Sequence, residues 1–455
     1  MNKKLVVVLV GMIGIVGFLF YWLYQQEQKE EANQVDSSIS GYDELMELAR
    51  DTYAFFVEFT DERTGLTADR VDLFDGEDVY EQTSPTNIAM YALSLVGAVE
   101  LGFETKGQAS EKIAILLNTL DEMKTWNGLY YNWYYTHNGE LMNDWGQFIS
   151  TVDNGWLTAA LMVVSEYFPE HDGQAEQLVS NMDYSKLYSK SVGQFHGGYD
   201  VAEGKLTDHH YGLLYSETRI TSYVAIGKED VPQEHWWKLY RTFLPEDTWQ
   251  AQVPTGDYVK YDGHSIYQGH YEYEGIQYVP SWGGSMFEAL MPALLIDEKS
   301  LAPQGLGYNN EQHVKAQIKY AELNDWDIWG FSPAAIEGNY LEFGVPVLGA
   351  GEGYPDNGTV TSHASLLALE YAFEEVLSNV ATLKEYGAYG EFGLYDTVSI
   401  QSGKVHQTYL ALDQGMILAS IVNYLTDGRL RHYFHQHDAG EKPMHLLKEE
   451  QFILE

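Results

Sequence analysis

The sequence Thr-Ser-Pro-Thr-Asn-Ile-Ala-Met-Tyr-Ala-Leu-Ser-Leu-Val-Gly-Ala-Val-Glu-Leu occupies residues 83–101 and indicates the type of fold. Ser84 is a favourable N-cap, and Pro85 suits the first helical position, where a backbone N–H is not needed. Apolar residues then recur at helical spacing as far as Leu101. This segment therefore predicts a helix with a sharply defined start.

The same pattern continues along the chain from about residue 41. Helical spacing of apolar residues predicts further helices at 42–58, 107–125, 156–168, 217–225, 286–295, 310–323, 362–378 and 407–425. The connectors between helices are long and rich in Gly, Trp, Tyr, Asp and His, at 126–139, 196–215, 258–284, 326–358 and 386–403. Such loops are usually functional or disordered, and the aromatic residues argue against disorder. Antiparallel helix pairs with elaborate loops at one end predict an all-α toroid.

Composition excludes several classes of function. The chain of 455 residues has 67 acidic and 26 basic residues, a formal net charge of -41, so nucleic acid is not expected as a partner. No cysteine occurs, which excludes disulfides and thiolate sites. The histidine pairs 209/210 and 264/270 are typical of ordinary loops, so we expect no metal and no cofactor. The 35 Tyr and 11 Trp offer flat apolar faces that suit sugar rings as well as protein cores.

The N-terminal residues predict a membrane anchor. Lys3 and Lys4 precede an uncharged stretch, residues 5–23, which is long enough to cross a bilayer as a helix. Because the positive charges come first, the rest of the chain should lie outside the cell. We therefore predict a single-pass anchor at 1–23, a polar linker at 24–40 and one domain at 41–455. Cleavage as a signal peptide, which gives a secreted protein, and a domain boundary near 185–205 are the alternatives.

Seven short segments, taken in order, resemble the bacterial glucoamylase-like domain of endo-β-1,2-glucanases and cyclic β-1,2-glucan synthases. They are Thr83–Ile88, Ser150–Gly155, Tyr215–Tyr223, Val231–Trp236, Ser281–Glu288, Gly393–Asp396 and Leu412–Met416. The resemblance implies an (α/α)6 barrel, a glucan-binding cleft formed by loops at one end, and hydrolysis or transfer of glycosidic bonds. Residues 64–200 also look like a domain of unassigned function common in exopolysaccharide gene clusters.

One position departs from the synthases that the sequence resembles. Their counterpart of Trp329–Pro333 resembles Trp-Gly-Ile-Ser-Glu, in which the glutamate is a nucleophile. Here that position is Pro333. A covalent, retaining mechanism through this position is closed unless Glu337 substitutes from a neighbouring turn. The resemblance therefore favours the hydrolytic branch and an inverting mechanism.

Cleavage of an acetal without a metal needs two carboxyl groups with different pKa values. Glu217 is the candidate acid because it lies in the matching segment; alternatively, Ser216 caps a helix and Glu217 complements its dipole. Asp413 is the first candidate base, since an acid within an apolar helix is costly unless paired or functional. Asp153 is the second candidate, although it could instead be an N-cap.

The expected sugar-binding residues lie in the matching loops. Core packing is the alternative for the tryptophans, and a hydrogen bond to backbone is the alternative for Glu288. They are Arg219, Trp282, Glu288, Trp329, Tyr395 and Asp396, with Trp326 as a further stacking candidate. The sequence predicts an extracellular glycoside hydrolase whose substrate is a bacterial glucan or exopolysaccharide, with β-1,2-glucan as the first choice. Polysaccharide biosynthesis proteins are candidate partners. A non-catalytic module for polysaccharide binding or export and a transglycosylase are the alternatives.

Overall fold

The computed structural model describes residues 41–74, 76–143, 147–351 and 354–452. The predicted anchor and linker, residues 1–40, lie outside the described residues. Within those ranges, the structure contains no helix with the length and apolar character needed to cross a bilayer. A compact unit that begins at residue 49 carries the fold described below.

Six helices form an inner ring. They are α2 (Pro85–Glu100), α4 (Thr151–Tyr167), α6 (Arg219–Gly227), α8 (Met286–Leu290), α11 (Ser362–Leu366) and α13 (Ala411–Leu425). Within the described residues, α2 packs against α4 and α13, α4 against α6, and α11 against α8 and α13. The ring closes between α6 and α8, where Arg219 Nη2 donates to the carbonyl of Ala289 at 2.9 Å. Nearly every residue of α2 and α4 is buried, as expected for helices that are surrounded on all sides.

The other helices lie outside this ring or follow it at the C-terminus. They are α1 (41–58), α3 (Lys106–Glu122), α5 (Asp172–Asn181), α7 (Glu234–Lys238), α9 (Glu298–Leu301), α10 (Leu306–Leu323), α12 (Phe373–Glu385), α14 (Arg429–Gln436), α15 (Asp438–Glu441) and α16 (Met444–Glu449). Short 3-10 helices occupy Tyr184–Lys186, Met291–Leu294 and Pro346–Leu348. Outer helices alternate with inner ones along the chain, which is the arrangement that the helix pattern predicts.

Local capping explains where the inner helices begin. The Ser84 hydroxyl accepts a hydrogen bond from the Asn87 N–H at 3.2 Å, which confirms the predicted start of α2. Ser150, rather than Asp153, caps α4, so this helix begins five residues before the predicted one and Asp153 lies in its first turn. Helix α6 begins only at Arg219, so the predicted helix start at Glu217 is wrong.

Three other predicted helices are shorter in the structure. The segment 362–378 breaks into α11 and α12, and 286–295 continues after α8 only as a 3-10 helix that contains Pro292. The segment 407–425 becomes helical only at Ala411, because the preceding residues pair with β1 as an antiparallel strand. Apolar spacing alone did not distinguish these strand and turn residues from helix.

The connectors contain short antiparallel strands, so the prediction of long irregular loops in an all-α protein is corrected. The strands are β1 (Arg70–Asp72), β2 (Asp78–Tyr80), β3 (Gln82–Thr83), β4 (Thr125–Trp126), β5 (Leu129–Tyr130), β6 (Tyr134–Tyr135), β7 (Phe148–Ser150), β8 (Tyr188–Ser189), β9 (Gln194–His196), β10 (Gly198–Asp200), β11 (Lys205–Leu206), β12 (His210–Tyr211), β13 (Thr255–Tyr261), β14 (His264–Tyr273), β15 (Ile276–Tyr278), β16 (Ala334–Ile336), β17 (Asn339–Leu341), β18 (Thr359–Thr361), β19 (Tyr389–Gly390), β20 (Gly393–Leu394), β21 (Thr397–Ser399), β22 (Lys404–His406) and β23 (Thr408–Leu410). The longest pair, β13 and β14, is joined by Asp262 and Gly263 with φ of 44° and 80°, the left-handed conformation that an Asp-Gly hairpin turn favours.

Candidate active site

A cleft of about 530 Å³ lies where the chain enters α6 and α8. Its lining combines carboxyl groups with aromatic rings, and includes Tyr211, Glu217, Trp282, Glu288, Glu342 and Tyr354. Three of these, Glu217, Trp282 and Glu288, are residues that the sequence predicts for the site. The structure therefore brings together the predicted acid, one predicted stacking platform and a second carboxyl group.

Glu217 has the properties of a proton donor. Burial, followed by the negative charges of Glu288 and Asp153, raises its pKa to about 8. Its side chain remains partly exposed on the cleft wall. At neutral pH this carboxyl group is therefore protonated and accessible from the cleft, as an acid that donates to a leaving oxygen requires.

Glu288 holds its place through hydrogen bonds from the protein. Its carboxylate accepts from the Ser281 hydroxyl at 2.9 Å, the Gly283 N–H at 3.0 Å and the Ser285 N–H at 3.1 Å. It forms a capping box with Ser285 at the start of α8. Burial raises the pKa of Glu288, but these donors oppose that shift by stabilising its charged form. We therefore assign the negative charge of the pair to Glu288 and the proton to Glu217.

Asp153 lies close to this pair electrostatically. Its carboxylate accepts a hydrogen bond from the Thr86 hydroxyl at 2.6 Å and remains partly exposed. Its charge raises the pKa of both Glu217 and Tyr211. The N-cap alternative for Asp153 is excluded because Ser150 performs that role.

A second group of titratable residues is enclosed near the starts of α11 and α13. His363, Asp396 and Asp413 are each at most 2% exposed. His363 Nδ1 lies 3.1 Å from Asp413 Oδ2 and 3.8 Å from Asp396 Oδ1. Burial lowers the pKa of His363, but the charges of Asp413 and Asp396 outweigh it and raise this pKa to about 9. The imidazole is therefore positively charged at neutral pH. We call these three residues the histidine cluster.

The two aspartates of the histidine cluster differ in their hydrogen bonds. Asp396 Oδ2 accepts from the Ala335 N–H and the Thr397 hydroxyl, both at 2.6 Å. Neither carboxylate oxygen of Asp413 accepts a hydrogen bond from a backbone N–H or a hydroxyl group of the described residues. Burial raises the pKa of Asp413, whereas hydrogen bonds with Asp413 and His363 lower that of Asp396 in spite of its burial. Asp413 is therefore the stronger base of the two.

The histidine cluster is also where the described residues place potential metal ligands closest together. One ligand atom from each of its three side chains lies within 4.8 Å of the others. Imidazole nitrogen and carboxylate oxygen suit a divalent transition metal. The sequence gives no signal for this grouping because the three residues are far apart along the chain.

Tyr340 interacts electrostatically with the histidine cluster and with Tyr354, which lines the cleft. Burial and the charges of Asp413, Asp396 and Asp69 raise the pKa of its hydroxyl, with a further contribution from Tyr354. Tyr354 is in turn perturbed by Glu288, Glu342 and Glu217. Electrostatic interactions therefore link Tyr340 and Tyr354 to both groups of carboxylates, although 47% of the Tyr340 surface is exposed.

The hairpin of β16 and β17 positions Tyr340. Arg70 Nη1 donates to the carbonyl of Gly338 in its turn at 2.9 Å. Glu337 occupies the same turn with a φ of 49° and pairs with Lys404 at 2.7 Å, with 71% of its side chain exposed. This placement gives Glu337 no part in the cleft wall, so it offers no substitute for a nucleophile at Pro333.

The structure corrects the prediction that Arg219 binds sugar. Its guanidinium is fully buried and pairs with Glu298 at 2.6 Å. Its remaining donors are bonded to Glu298 and to the carbonyls of Leu214, Ser216 and Ala289. Arg219 therefore fixes the loop that presents Glu217, and no donor remains for a ligand.

Three other predicted sugar contacts are enclosed by protein. Trp329 is 6% exposed, and its backbone bonds to the side chain of Asn379. Tyr395 is 9% exposed and packs on Tyr409 with ring centroids 4.9 Å apart. Asp396 belongs to the histidine cluster. Core packing, the alternative for the tryptophans, accounts for Trp329, and Tyr395 is likewise part of the packed interior.

Comparison with known families identifies the type of protein. Residues 209–438 match the Glycoamylase family model, described as "Putative glucoamylase". The chain belongs to this glucoamylase-like family. Residues 47–228 match a second model, described as a protein of unknown function.

Two curated relatives act on β-1,2-linked glucans. Over 293 residues, 61% of this chain and 9% of the relative, the sequence is 33% identical to a cyclic beta-(1,2)-glucan synthase of Rhizobium meliloti. Over 370 residues it is 20% identical to an exo beta-1,2-glucooligosaccharide sophorohydrolase (non-reducing end) of Parabacteroides distasonis, covering 74% of this chain and 49% of that protein. The chain thus spans less than half the length of either relative.

Solved structures confirm the (α/α)6 fold. An endo-beta-1,2-glucanase from Chitinophaga pinensis superimposes with a TM-score of 0.71 at 17% identity, covering 90% of this chain and 98% of that one. An endo-beta-1,2-glucanase from Talaromyces funiculosus gives a TM-score of 0.69 at 9% identity, with 90% and 88% coverage. At these identities the likeness establishes the fold alone.

Proposed function

We propose that this protein is a glycoside hydrolase that cleaves β-1,2-glucan with inversion of the anomeric configuration. The observation that carries the proposal is Glu217 on the cleft wall, where burial and the neighbouring Glu288 raise its pKa to about 8. Family membership and the substrates named for the relatives support the choice of glucan.

In the proposed reaction, Glu217 donates its proton to the glycosidic oxygen as the bond to the anomeric carbon breaks. Water attacks that carbon from the opposite face, and its proton passes to Asp413 directly or through a sugar hydroxyl. Asp413 suits this role because its oxygens accept no hydrogen bond from a backbone N–H or a hydroxyl group of the described residues, and the His363 ring lies 3.1 Å away. Proton exchange with solvent then restores both groups.

Direct attack by water is favoured over a covalent intermediate. Pro333 occupies the position at which the synthases that the sequence resembles carry their nucleophile. Glu288 accepts hydrogen bonds from three protein donors, and these bonds reduce the nucleophilicity of its carboxylate.

The proposal includes an extracellular location. Lys3 and Lys4 before the apolar residues 5–23 support an orientation with the enzyme outside the membrane, near polysaccharide substrates and the proteins that make them. Protease added to intact cells should digest residues beyond about 40. Digestion only after lysis would contradict this orientation.

The anomer released in the first minutes of hydrolysis tests the mechanism. Linear β-1,2-glucan should give α-configured reducing ends. Proton NMR detects this anomer if the spectra are recorded before mutarotation. Glu217→Gln should abolish this signal yet still bind the glucan. An initial β-anomer would indicate retention. Binding by the wild type without any released sugar would indicate a polysaccharide-binding module, and reducing ends that appear only with an added acceptor would indicate a transglycosylase.

A further inference from the structure

Four aromatic side chains form a continuous strip at the edge of the cleft. Ring centroids are 5.5 Å apart for Tyr240 and Phe243, 4.4 Å for Phe243 and Trp249, and 6.3 Å for Trp249 and Trp282. We call these four residues the aromatic strip. Tyr240, Phe243 and Trp282 also line the cleft with Glu217, whereas Trp249 lies beyond its lining. The strip therefore extends outward from the site of the proposed reaction.

The strip exposes an unusual amount of aromatic surface. Tyr240 is 45% exposed, Trp249 51% and Trp282 47%. Among the tryptophans that the structure describes, these two are the ones with about half of their surface exposed, and they are neighbours. Folding would bury such rings if they served only the core, so adjacent exposed tryptophans indicate a surface that a ligand covers.

The loop that carries Trp249 is held in place. Gln250 Nε2 donates to the carbonyl of Leu244 at 2.6 Å, and Tyr271 donates its hydroxyl proton to Gln250 Oε1 at 2.9 Å. The Ala251 N–H donates to the carbonyl of Ala350 at 3.1 Å. Because these bonds order the loop, a ligand that stacks on Trp249 has little further ordering to impose.

We propose, resting on the proposed function, that the aromatic strip binds the distal sugar units of a long, neutral glucan whose scissile bond lies at Glu217. The C–H faces of successive sugars would stack on Trp282 and then on Trp249. The net charge of -41 disfavours polyanionic glycans and is compatible with a neutral glucan as the ligand. Chains too short to reach Trp249 gain nothing from it, so the strip should favour internal cleavage of polymers.

The test compares long and short ligands in a background that cannot turn them over. Binding of linear β-1,2-glucan polymer and of its disaccharide is measured by calorimetry for Glu217→Gln alone and combined with Trp249→Ala. The second change should weaken polymer binding about tenfold, the size expected for one lost stacking contact, and leave disaccharide binding unchanged. Tyr258→Ala, which removes an aromatic ring that is 65% exposed on β13, is the matched control and should change neither affinity.

Activity gives a second measurement. With Glu217 intact, Trp249→Ala should raise KM for polymer with kcat unchanged, and circular dichroism should confirm the native fold. Unchanged polymer affinity, or an equal loss for polymer and disaccharide, would overturn the role of the strip.

A parallel panel of β-1,3-, β-1,4- and α-1,4-glucans separates the two proposals. If another linkage binds and shows the chain-length effect of Trp249→Ala, the strip is supported while the β-1,2 assignment fails. If no neutral polymer binds, the strip proposal fails as well.

Discussion

The cleft wall and the histidine cluster each contain a buried carboxyl group, Glu217 and Asp413, and the charges beside these two groups have opposite signs. Burial raises the pKa of Glu217 on the wall and of Asp413 in the cluster. On the wall the strongest neighbouring charge is the negative Glu288, which helps Glu217 to keep its proton. In the cluster it is the positive His363, which favours the ionised form of Asp413. The neighbouring charge therefore adds to the effect of burial on the pKa of Glu217 and opposes it on the pKa of Asp413.

The largest effect should come from removing the acid. Glu217→Gln preserves shape but supplies no acidic proton, so kcat should fall by about 1000-fold, within the range for loss of acid catalysis, with binding retained. Glu342→Gln, which changes an exposed carboxylate in the same cleft, is the control and should keep most activity. If both variants lost activity to a similar extent, turnover would depend on the total negative charge of the cleft rather than on one acid.

The next effect concerns the base. Asp413→Asn should lower kcat by about 100-fold, because amide nitrogen and oxygen cannot accept the proton of water. Asp153→Asn should lower it by only about tenfold, since Asp153 is bonded to Thr86 and contributes charge near Glu217. Initial rates on one glucan rank the two variants, and the reverse order would identify Asp153 as the base.

The pH profile tests the wall. Because Glu217 must be protonated, activity should decline as pH rises through about 8. Glu288→Gln removes the neighbouring negative charge and so lowers the pKa of Glu217, which should move this alkaline limb of kcat/KM to lower pH. An alkaline limb that stays in place would show that Glu288 does not tune the acid.

A variant of the histidine cluster should instead shift the acidic limb of the pH profile. The His363 imidazolium lowers the pKa of Asp413, so His363→Gln should raise that pKa and move the acidic limb of kcat/KM to higher pH. Glu288→Gln serves as the control, because it should leave the acidic limb unchanged. If His363→Gln shifts only the alkaline limb, the assignment of acid and base must be exchanged.

The smallest effect is expected from a chelator. The proposed mechanism uses no metal, so EDTA should change the rate by less than about twofold, whereas added Zn²⁺ should inhibit if it occupies His363, Asp396 and Asp413 and masks the base. Rates measured after dialysis against chelator, with and without Zn²⁺, decide this. Loss of activity in chelator and its recovery with Zn²⁺ would make the histidine cluster a catalytic metal site.

Sequence reasoning identified the features that depend on neighbours along the chain. The start of α2 follows from Ser84 and Pro85, and the family resemblance placed Glu217 in the segment that lines the cleft. The start of α6 was misplaced because Ser216 and Glu217 also fit the pattern of a helix start. Local patterns thus gave the correct region but the wrong helix boundary.

The missed residues depend on contacts between distant parts of the chain. His363 acquires its charge from Asp396 and Asp413, which follow it by 33 and 50 residues in the sequence. Tyr211 and Tyr354 reach the same cleft from separate connectors. Arg219 was misassigned because its partner Glu298, at the start of α9, becomes its neighbour only in the folded chain. Spacing along the sequence carries no signal for such pairs.

The capping box at α8 has a consequence for how this protein can evolve. Glu288 accepts a hydrogen bond from a backbone N–H group at the start of the inner helix α8 that would otherwise be unpaired. Its charge also raises the pKa of Glu217. A substitution at Glu288 changes the stability of the helix start and the pKa of Glu217 together. Selection therefore cannot adjust one property without changing the other. Descendants that adapt to a new pH optimum should therefore retain Glu288 and accumulate their changes at Asp153, which bonds to Thr86 rather than to the start of α8.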